Sequence, residues 1–282
     1  MTRIGIIGAG QVGAGLARRL HAIGHQVLLA NSRGPASLAA LAQETGTRAA
    51  HLHQAIQEAE VLVLAIPFKQ NLLLRDALHG SARLPPVIID TANYIPQRDG
   101  GYPDVDAGAP ETEWMSRQLG VGLVKTFNSM TADSLRTRGK PQGARDRIAL
   151  PVTGDSPAAR ALVMDLVDQL GFTPYDAGRL SESWRQQPGQ PAYASDPTIG
   201  EIAALLARAD REKGPANRDR AMALMARLPP AFPAQELVRI ARLSIGLDTW
   251  KPRSWLAGLR LMAALARPAA TRRPSTTIAT PD

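Results

Sequence analysis

The 282-residue chain contains no cysteine. That absence excludes disulfides, thiolate metal sites and a cysteine nucleophile, and it says nothing about compartment because a cytosolic protein needs none. Lysine is scarce as well: 28 of the 33 basic residues are arginine and five are lysine. The formal net charge of +8 therefore reads as a compositional bias spread along the chain rather than a built basic patch. No zinc-finger, basic-zipper or RNA-binding aromatic signature accompanies it, so no nucleic-acid partner is expected. Long apolar runs are missing too. Trp255–Ala266 is 12 residues long, too short to span a bilayer, and packing or a subunit interface suits it better than a membrane surface. No charged leader, apolar stretch and small-residue cleavage site precede the first strand-like segment, which predicts a cytoplasmic protein without a transmembrane segment. Of the five histidines, His51 and His53 stand two apart with no partner cluster. They read as ordinary surface residues, and no metal site is expected.

What is present is an alternation of short apolar runs with helical patterns from residue 3 to about 176. Runs at Arg3–Ile7, Gln26–Ala30, Val61–Ile66, Val87–Asp90, Gly122–Phe127, Ile148–Thr153 and Phe172–Asp176 predict strands, several apolar at consecutive positions, as strands buried on both faces require. Helices are expected at Gln11–Ala22, Ser37–Glu44, around Phe68–Leu78, in "TEWMSRQLG" and "TADSLRTRG", and at Pro157–Leu170, with Gly46, Gly139 and Gly171 as left-handed caps. This is the pattern of an α/β, Rossmann-type, doubly wound parallel sheet. The stretch from Asn93 to Pro110, rich in Gly, Pro and Asp, reads as a lid or binding loop, or as disorder. After Gly178 the strands stop and four helical segments follow, so the sequence predicts a Rossmann domain at 1–178, an all-helical region at 179–266 and a disordered tail at 267–282.

Gly8-Ala9-Gly10-Gln11-Val12-Gly13 matches G-x-G-x-x-G between a strand and a helix, with a second strand ending near residue 30. In that context Gly8 permits the tight turn, Gly10 opens the backbone to a pyrophosphate, and Gly13 lets helix and strand pack closely. The helix N-terminus adds partial positive charge. A carboxylate at the end of the second strand would hold a ribose and repel a 2′-phosphate; here the position carries Asn31, Ser32 and Arg33. A neutral amide, a hydroxyl and a guanidinium favour NADP(H) over NAD(H).

These residues resemble a known family, the NADPH-dependent coenzyme-F420 reductases, whose relatives include the cytoplasmic domains of the STEAP metalloreductases. The stretches that carry the resemblance are "IGIIGAGQVGAGLARRL", "GHQVLLANSRGP", "AEVLVLAIPF", "VIIDTANYIP", "VKTFNSM" and "ALPVTGD…LVDQLGFTPYDAG", in the family's order over residues 3–178. The resemblance implies a Rossmann domain, NADP(H) with its nicotinamide at the C-terminal edge of the sheet, and hydride transfer to a flavin-like ring such as F420. It implies that Gly8, Gly10 and Gly13 hold the pyrophosphate, Ser32 and Arg33 the 2′-phosphate, that Ile66, Pro67 and Phe68 lie beside the cofactor, and that Asn93 and Asn128 lie nearest the nicotinamide. The helices beyond 178 depart from the compact F420 reductases, and the membrane helices and haem ligands of STEAP proteins have no counterpart.

No Ser-x-x-x-Lys pair, nucleophile elbow or paired carboxylates fall at the expected cleft, so no catalytic residue is assigned. Tyr94, next to Asn93, is either a proton donor or a packing residue. Without an acid–base residue, the sequence suits a flavin or deazaflavin acceptor, whose ring carries the chemistry. An NADPH-dependent reductase of a small carbonyl or imine is the second reading, and a non-catalytic NADP(H) sensor the third. The apolar faces of the C-terminal helices predict a homodimer interface and one wall of the substrate site, with a self-contained cap as the alternative.

Overall fold

Alternating side chains along the central strands divide between two cores. In the computed structural model, which describes residues 1–266, Ile4, Ile6, Val61, Val63, Val87 and Ile89 enter one apolar cluster, while Ile7, Leu62, Leu64 and Ile88 enter the other. Both faces are therefore covered, which is why these strands are apolar at consecutive positions. The eight strands are Arg3–Ile7 (β1), Gln26–Ala30 (β2), Arg48–Ala49 (β3), Val61–Leu64 (β4), Val87–Asp90 (β5), Val124–Lys125 (β6), Ala149–Gly154 (β7) and Thr173–Asp176 (β8). They form one sheet in the order β3-β2-β1-β4-β5-β6-β7-β8. The chain winds outward from β1 to β3, then crosses back to β4, so the topological switch lies between β1 and β4. Ligands of such sheets bind there.

The structure corrects several expectations. The sheet is parallel only through β6: β7 pairs with it antiparallel, Val124 opposite Gly154 and Lys125 opposite Thr153, and β8 follows β7. Edge strand β3 has only two residues and no apolar run, so periodicity cannot find it. Gly46 and Gly171 adopt positive φ, 70° and 84°, as left-handed caps, but Gly139 does not. A Cβ there would strike the Arg19 guanidinium and approach the Leu170 carbonyl oxygen to 2.8 Å, so close approach is what requires glycine. The segment after Asn93 is not a loose lid. It forms two single-turn helices, Pro96–Asp99 and Pro103–Asp106, and is tied inward by Tyr94, whose ring is fully buried. The Tyr94 hydroxyl donates to Asp106 at 2.7 Å, and the Trp114 indole donates to Asp104 at 3.1 Å.

The chain forms two compact units, Met1–Arg218 and the residues from Asp219 onward. The first continues 40 residues past the last strand's loop, beyond the boundary at 178 that the change of pattern suggests. The reason is that residues 180–207 pack back on the sheet: Ala194 N–H donates to Ser129 O at 2.7 Å, Ala149 N–H to Pro197 O at 2.6 Å, and Ile202, Leu205 and Leu206 of the helix Ile199–Ala207 are buried. The helix Lys213–Ala226 carries the chain across the boundary. In the second unit Ala234–Ser244 packs with Pro252–Ala266, joined by Glu236, which accepts from Arg239 and Arg260 at 2.8 Å each. Asp248 pairs with Arg242 and Lys251, and the Arg242 hydrogen bond is the main cause that holds its carboxyl down to about 2. The expected tail at 267–282 lies outside the described residues.

Candidate functional site

The turn after β1 divides its three glycines by role. Gly8 has φ 114° and packs against the backbone after β4, where a Cβ would come within 2.7 Å of the Ala65 carbonyl carbon. Gly13, one helical turn in, lies over Gly8 itself, its Cβ position 2.9 Å from the Gly8 carbonyl carbon. Gly10 is different: its backbone is extended, φ −73° and ψ −173°, and a Cβ there would meet nothing within 4 Å. Two glycines are thus dictated by chain-on-chain packing, and the third faces open space at the start of the helix Gln11–Ala22. That helix begins with no acidic residue in its first turn and no side-chain cap, which leaves its N–H groups available to an anion. Gln11 is exposed, and Val12 packs against the sheet's first core.

The cleft above this turn has a volume of about 750 Å³ and is bounded by Gly8, Gly10, Asn31–Arg33 and Ile66–Pro67, within the size range of small-molecule sites. Asn31 lines the cleft and also shapes its rim. Its amide accepts from Arg33 N–H at 3.0 Å and donates to Ser37 Oγ at 3.0 Å. Gly34, at φ 83°, completes the turn. Ser32 and Arg33 are exposed as a result, and Arg33 forms no ion pair among the described residues. Phe68 departs from its expected place: its side chain is fully buried in an aromatic cluster with Tyr94, Tyr102 and Trp114, ring centroids 5.3–5.7 Å away. It supports the Ile66–Pro67 turn from below and does not line the cleft. Tyr94 belongs to the same cluster, so packing, not proton donation, is its part.

At the ends of β5 and β6 the structure brings Asn93 and Asn128 together. Asn128 Nδ2 donates to Asn93 Oδ1 at 3.1 Å, and Asn93 Nδ2 donates to Asn128 O at 3.0 Å. Two residues that the sequence reading left unassigned complete this array. Gln186 exchanges hydrogen bonds with Asn128, its carbonyl accepting from Nδ2 and its Nε2 donating to Oδ1, both at 2.9 Å. Tyr193 Oη accepts from Asn93 Nδ2 at 3.4 Å. Phe127, just before Asn128, is buried with φ 60°. A bulky residue in that conformation is strained and is held only by its surroundings.

Beneath this array lies a group of buried charges. Lys125 and Asp90, both fully buried, pair at 3.0 Å. Asp90 also accepts from Thr112 Oγ1 at 2.6 Å and from Ala92 N–H at 2.9 Å, and Lys125 donates to Ala92 O. Glu111 accepts Tyr94 N–H at 3.0 Å. Burial pushes its carboxyl up to about 7, against the pull of Lys125. Burial and the Glu111 charge push the Tyr193 hydroxyl up to about 12, with Arg98 opposing.

A second cleft, about 590 Å³, lies at the opposite edge of the sheet beside Arg3, His25 and Arg48. Its glycines, Gly24 and Gly46, end helices rather than begin them. His25 there is structural: Nδ1 accepts Thr2 N–H at 3.2 Å, so Nε2 carries the proton given to Gln169 at 2.9 Å. His51 and His53 stack, with centroids 5.7 Å apart, and no group of three metal-ligating residues forms among the described residues. No described helix is long and apolar enough to cross a membrane.

The mostly parallel sheet, its switch point and the glycine turn define a Rossmann-type α/β protein. Residues 3–94 match the family described as NADP oxidoreductase, coenzyme F420-dependent, and the chain belongs to that family of NADP-dependent oxidoreductases. The hypothetical protein SMa0349 from Sinorhizobium meliloti is 32% identical and superposes with a TM-score of 0.61, over 70% of this chain and 96% of that one. A "putative f420 dependent nadp-reductase" from Arthrobacter sp. FB24 shares the fold, at 24% identity and a TM-score of 0.53, over 65% of this chain and 87% of that one. The protein YjhV of Escherichia coli (strain K12) is 50% identical over 56 residues, 20% of this chain; the match spans 41% of YjhV's length.

Proposed function

We propose that the protein transfers a hydride between NADP(H) and a flavin-like or deazaflavin acceptor of the F420 type. The observation that carries the cofactor half is the arginine at the end of β2. Arg33 stands exposed beside the cleft with no carboxylate partner among the described residues, on a turn that Asn31 shapes. The residues fit the cofactor on grounds internal to the fold. Open space over Gly10 admits a pyrophosphate to the backbone N–H groups, and Ser32 and Arg33 supply donors for a 2′-phosphate. Ile66 and Pro67 would flank the cofactor after β4, and the Asn93–Asn128 array would face its nicotinamide end. NADPH, when bound, supplies the hydride; the protein's part is to align two rings and exclude competing reactions.

A second reading, reduction of a small carbonyl or imine, is favoured by the Tyr193 hydroxyl, a proton source that a search for sequence motifs does not find. Following NADPH oxidation with F420, FMN, ferric chelates and a carbonyl panel separates these acceptors. Tight NADPH binding with no turnover on any of them would point to a sensor instead.

The reading includes a cytoplasmic homodimer built through the C-terminal helices. Leu256, Leu259 and Met262 are 51–66% exposed on the helix Pro252–Ala266, an apolar stripe that a second copy would cover. Light scattering is expected to give a dimer for the wild type and a monomer for Leu259→Glu. A monomeric wild-type chain would refute the interface.

A further inference from the structure

Donor bookkeeping at the ends of β5 and β6 separates the engaged amides from two hydroxyls without an acceptor, that of Thr126, which is sealed in the core, and that of Tyr193, which is not fully buried. Asn93 Nδ2 has two hydrogens, engaged by Asn128 O and Tyr193 Oη. Asn128 Nδ2 has two, engaged by Asn93 Oδ1 and Gln186 O. Gln186 Nε2 has two, engaged by Asn128 Oδ1 and, at 3.4 Å, by Lys125 O. Every amide N–H of the array is therefore committed within the protein. Tyr193 differs: its oxygen accepts from Asn93, while its own O–H finds no acceptor among the described residues. The side chain is half-buried, and its hydroxyl oxygen is held by Asn93.

From this geometry we propose that Tyr193 is the catalytic proton donor, hydrogen-bonded to the acceptor heteroatom that becomes anionic when the neighbouring carbon takes the hydride. The inference rests on the NADP(H) reading and deepens it. In the step itself the hydride forms a C–H bond at the carbon of a polar C=X bond, and the π pair moves onto X. The Tyr193 O–H bond breaks, its proton goes to X, and water reprotonates the phenolate once product leaves. A small carbonyl or imine follows this step directly; in a deazaflavin ring the hydride forms its C–H bond at a ring carbon conjugated with X, and in a flavin ring it forms an N–H bond at a ring nitrogen instead, the displaced π pair passing in both through the ring to X, a ring nitrogen or carbonyl oxygen that takes the Tyr193 proton.

Burial is the main influence on the Tyr193 hydroxyl. Charged groups that face the hydroxyl are Glu111, which opposes its ionisation, and Arg98, which favours it. Those that face Glu111 are Lys125, Asp90 and Arg218, together with the Tyr94 N–H.

The test combines a titration with kinetics. Tyrosinate absorbance of the ligand-free protein, wild type minus Tyr193→Phe, isolates the Tyr193 ionisation, expected near 12; Glu111→Gln should lower it by about 1 pH unit, the scale of a neighbouring charge. NADPH affinity, read by fluorescence, should change less than twofold in Tyr193→Phe. Turnover should fall about 100-fold or more, as loss of a general acid predicts, on whichever of oxidised F420, FMN, benzaldehyde and 2-methyl-1-pyrroline the wild type reduces. The acceptor most affected identifies the source of X. Turnover of Tyr193→Phe within twofold of wild type overturns the proposal. NADPH binding without reduction of any of the four acceptors overturns it too and leaves the NADP(H) reading standing. Failure of the wild type to bind NADPH would instead remove the reading itself.

Discussion

The two halves of the sheet's C-terminal edge are built in opposite ways. At the ends of β1 and β2 the candidate phosphate end is made of backbone and short turns, is open, and uses residues adjacent in sequence: Gly8 to Gly13 and Asn31 to Gly34. At the ends of β5 and β6 the candidate reacting end is made of side chains from three distant segments, Asn93, Asn128, and Gln186 with Tyr193, resting on the buried Asp90–Lys125 pair and Glu111. An anion needs N–H groups and a dipole, which one strand-turn-helix supplies locally. Aligning a reacting atom needs groups fixed in three dimensions, which only tertiary packing supplies.

The largest test of this contrast strikes the open end. Gly10→Val should abolish NADPH binding with circular dichroism unchanged, because the new side chain enters ligand space from a position whose Cβ meets no protein atom within 4 Å. Retained affinity would mean that the turn does not approach a phosphate. Gly13→Ala, by contrast, should lower the melting temperature, because its Cβ meets the Gly8 backbone.

At the closed end, Lys125→Met should cost about 3–5 kcal/mol of stability in urea unfolding, since it leaves Asp90 buried and unpaired. A cost below about 1 kcal/mol would show that the pair is dispensable and the end less rigid than its burial suggests.

Glu111 makes stability depend on pH. Its carboxyl keeps its proton up to about pH 7 in the folded chain, against an ordinary value of 4.5, so between these values the folded state binds more protons than the unfolded one. Stability should fall as pH rises through that window, by on the order of 3 kcal/mol, and level off above it. Glu111→Gln, which can still accept the Tyr94 N–H, should flatten the curve; an equally steep curve in the variant would assign the effect elsewhere.

The smallest expected effect sharpens the phosphate end. Arg33→Ala should weaken NADPH binding by about 1.5–3 kcal/mol, the range for hydrogen bonds to charged groups, and leave NADH binding nearly unchanged. Equal weakening of both would remove the 2′-phosphate assignment.

The same contrast explains what could be read from the chain alone. Gly8, Gly10, Ser32 and Arg33 were legible because a contiguous pattern at the end of a strand fixes their placement, and the strands of the parallel sheet were legible from their doubly buried composition. Asn93 and Asn128 were legible in position, since each follows a strand, but not in state: each donates its amide N–H to an oxygen of the other. Gln186 and Tyr193 were not legible, because they lie in a Pro- and Gln-rich stretch with no period and reach the site only by folding back across β6. Glu111 reads as an ordinary first-turn helix acid, and only its burial makes it unusual. Phe68 shows the converse error, since the turn that bears it is near the cleft while its ring points into the core.

The reversal of β7 gives the molecule a ruler. Only strands that run the same way present their C-terminal ends along one crevice, and from β2 to β6 there are four inter-strand steps, roughly 19 Å at about 4.8 Å each. Beyond β6 the next two strands end on the opposite side, so the sheet offers no further turn to lengthen the crevice. A guest that outgrows this measure must be met by chain returning from elsewhere, and residues 180–196 are placed to do so. The strand direction at one edge thus sets how much of a ligand's recognition is inherited with the sheet and how much is left to a segment free to diverge.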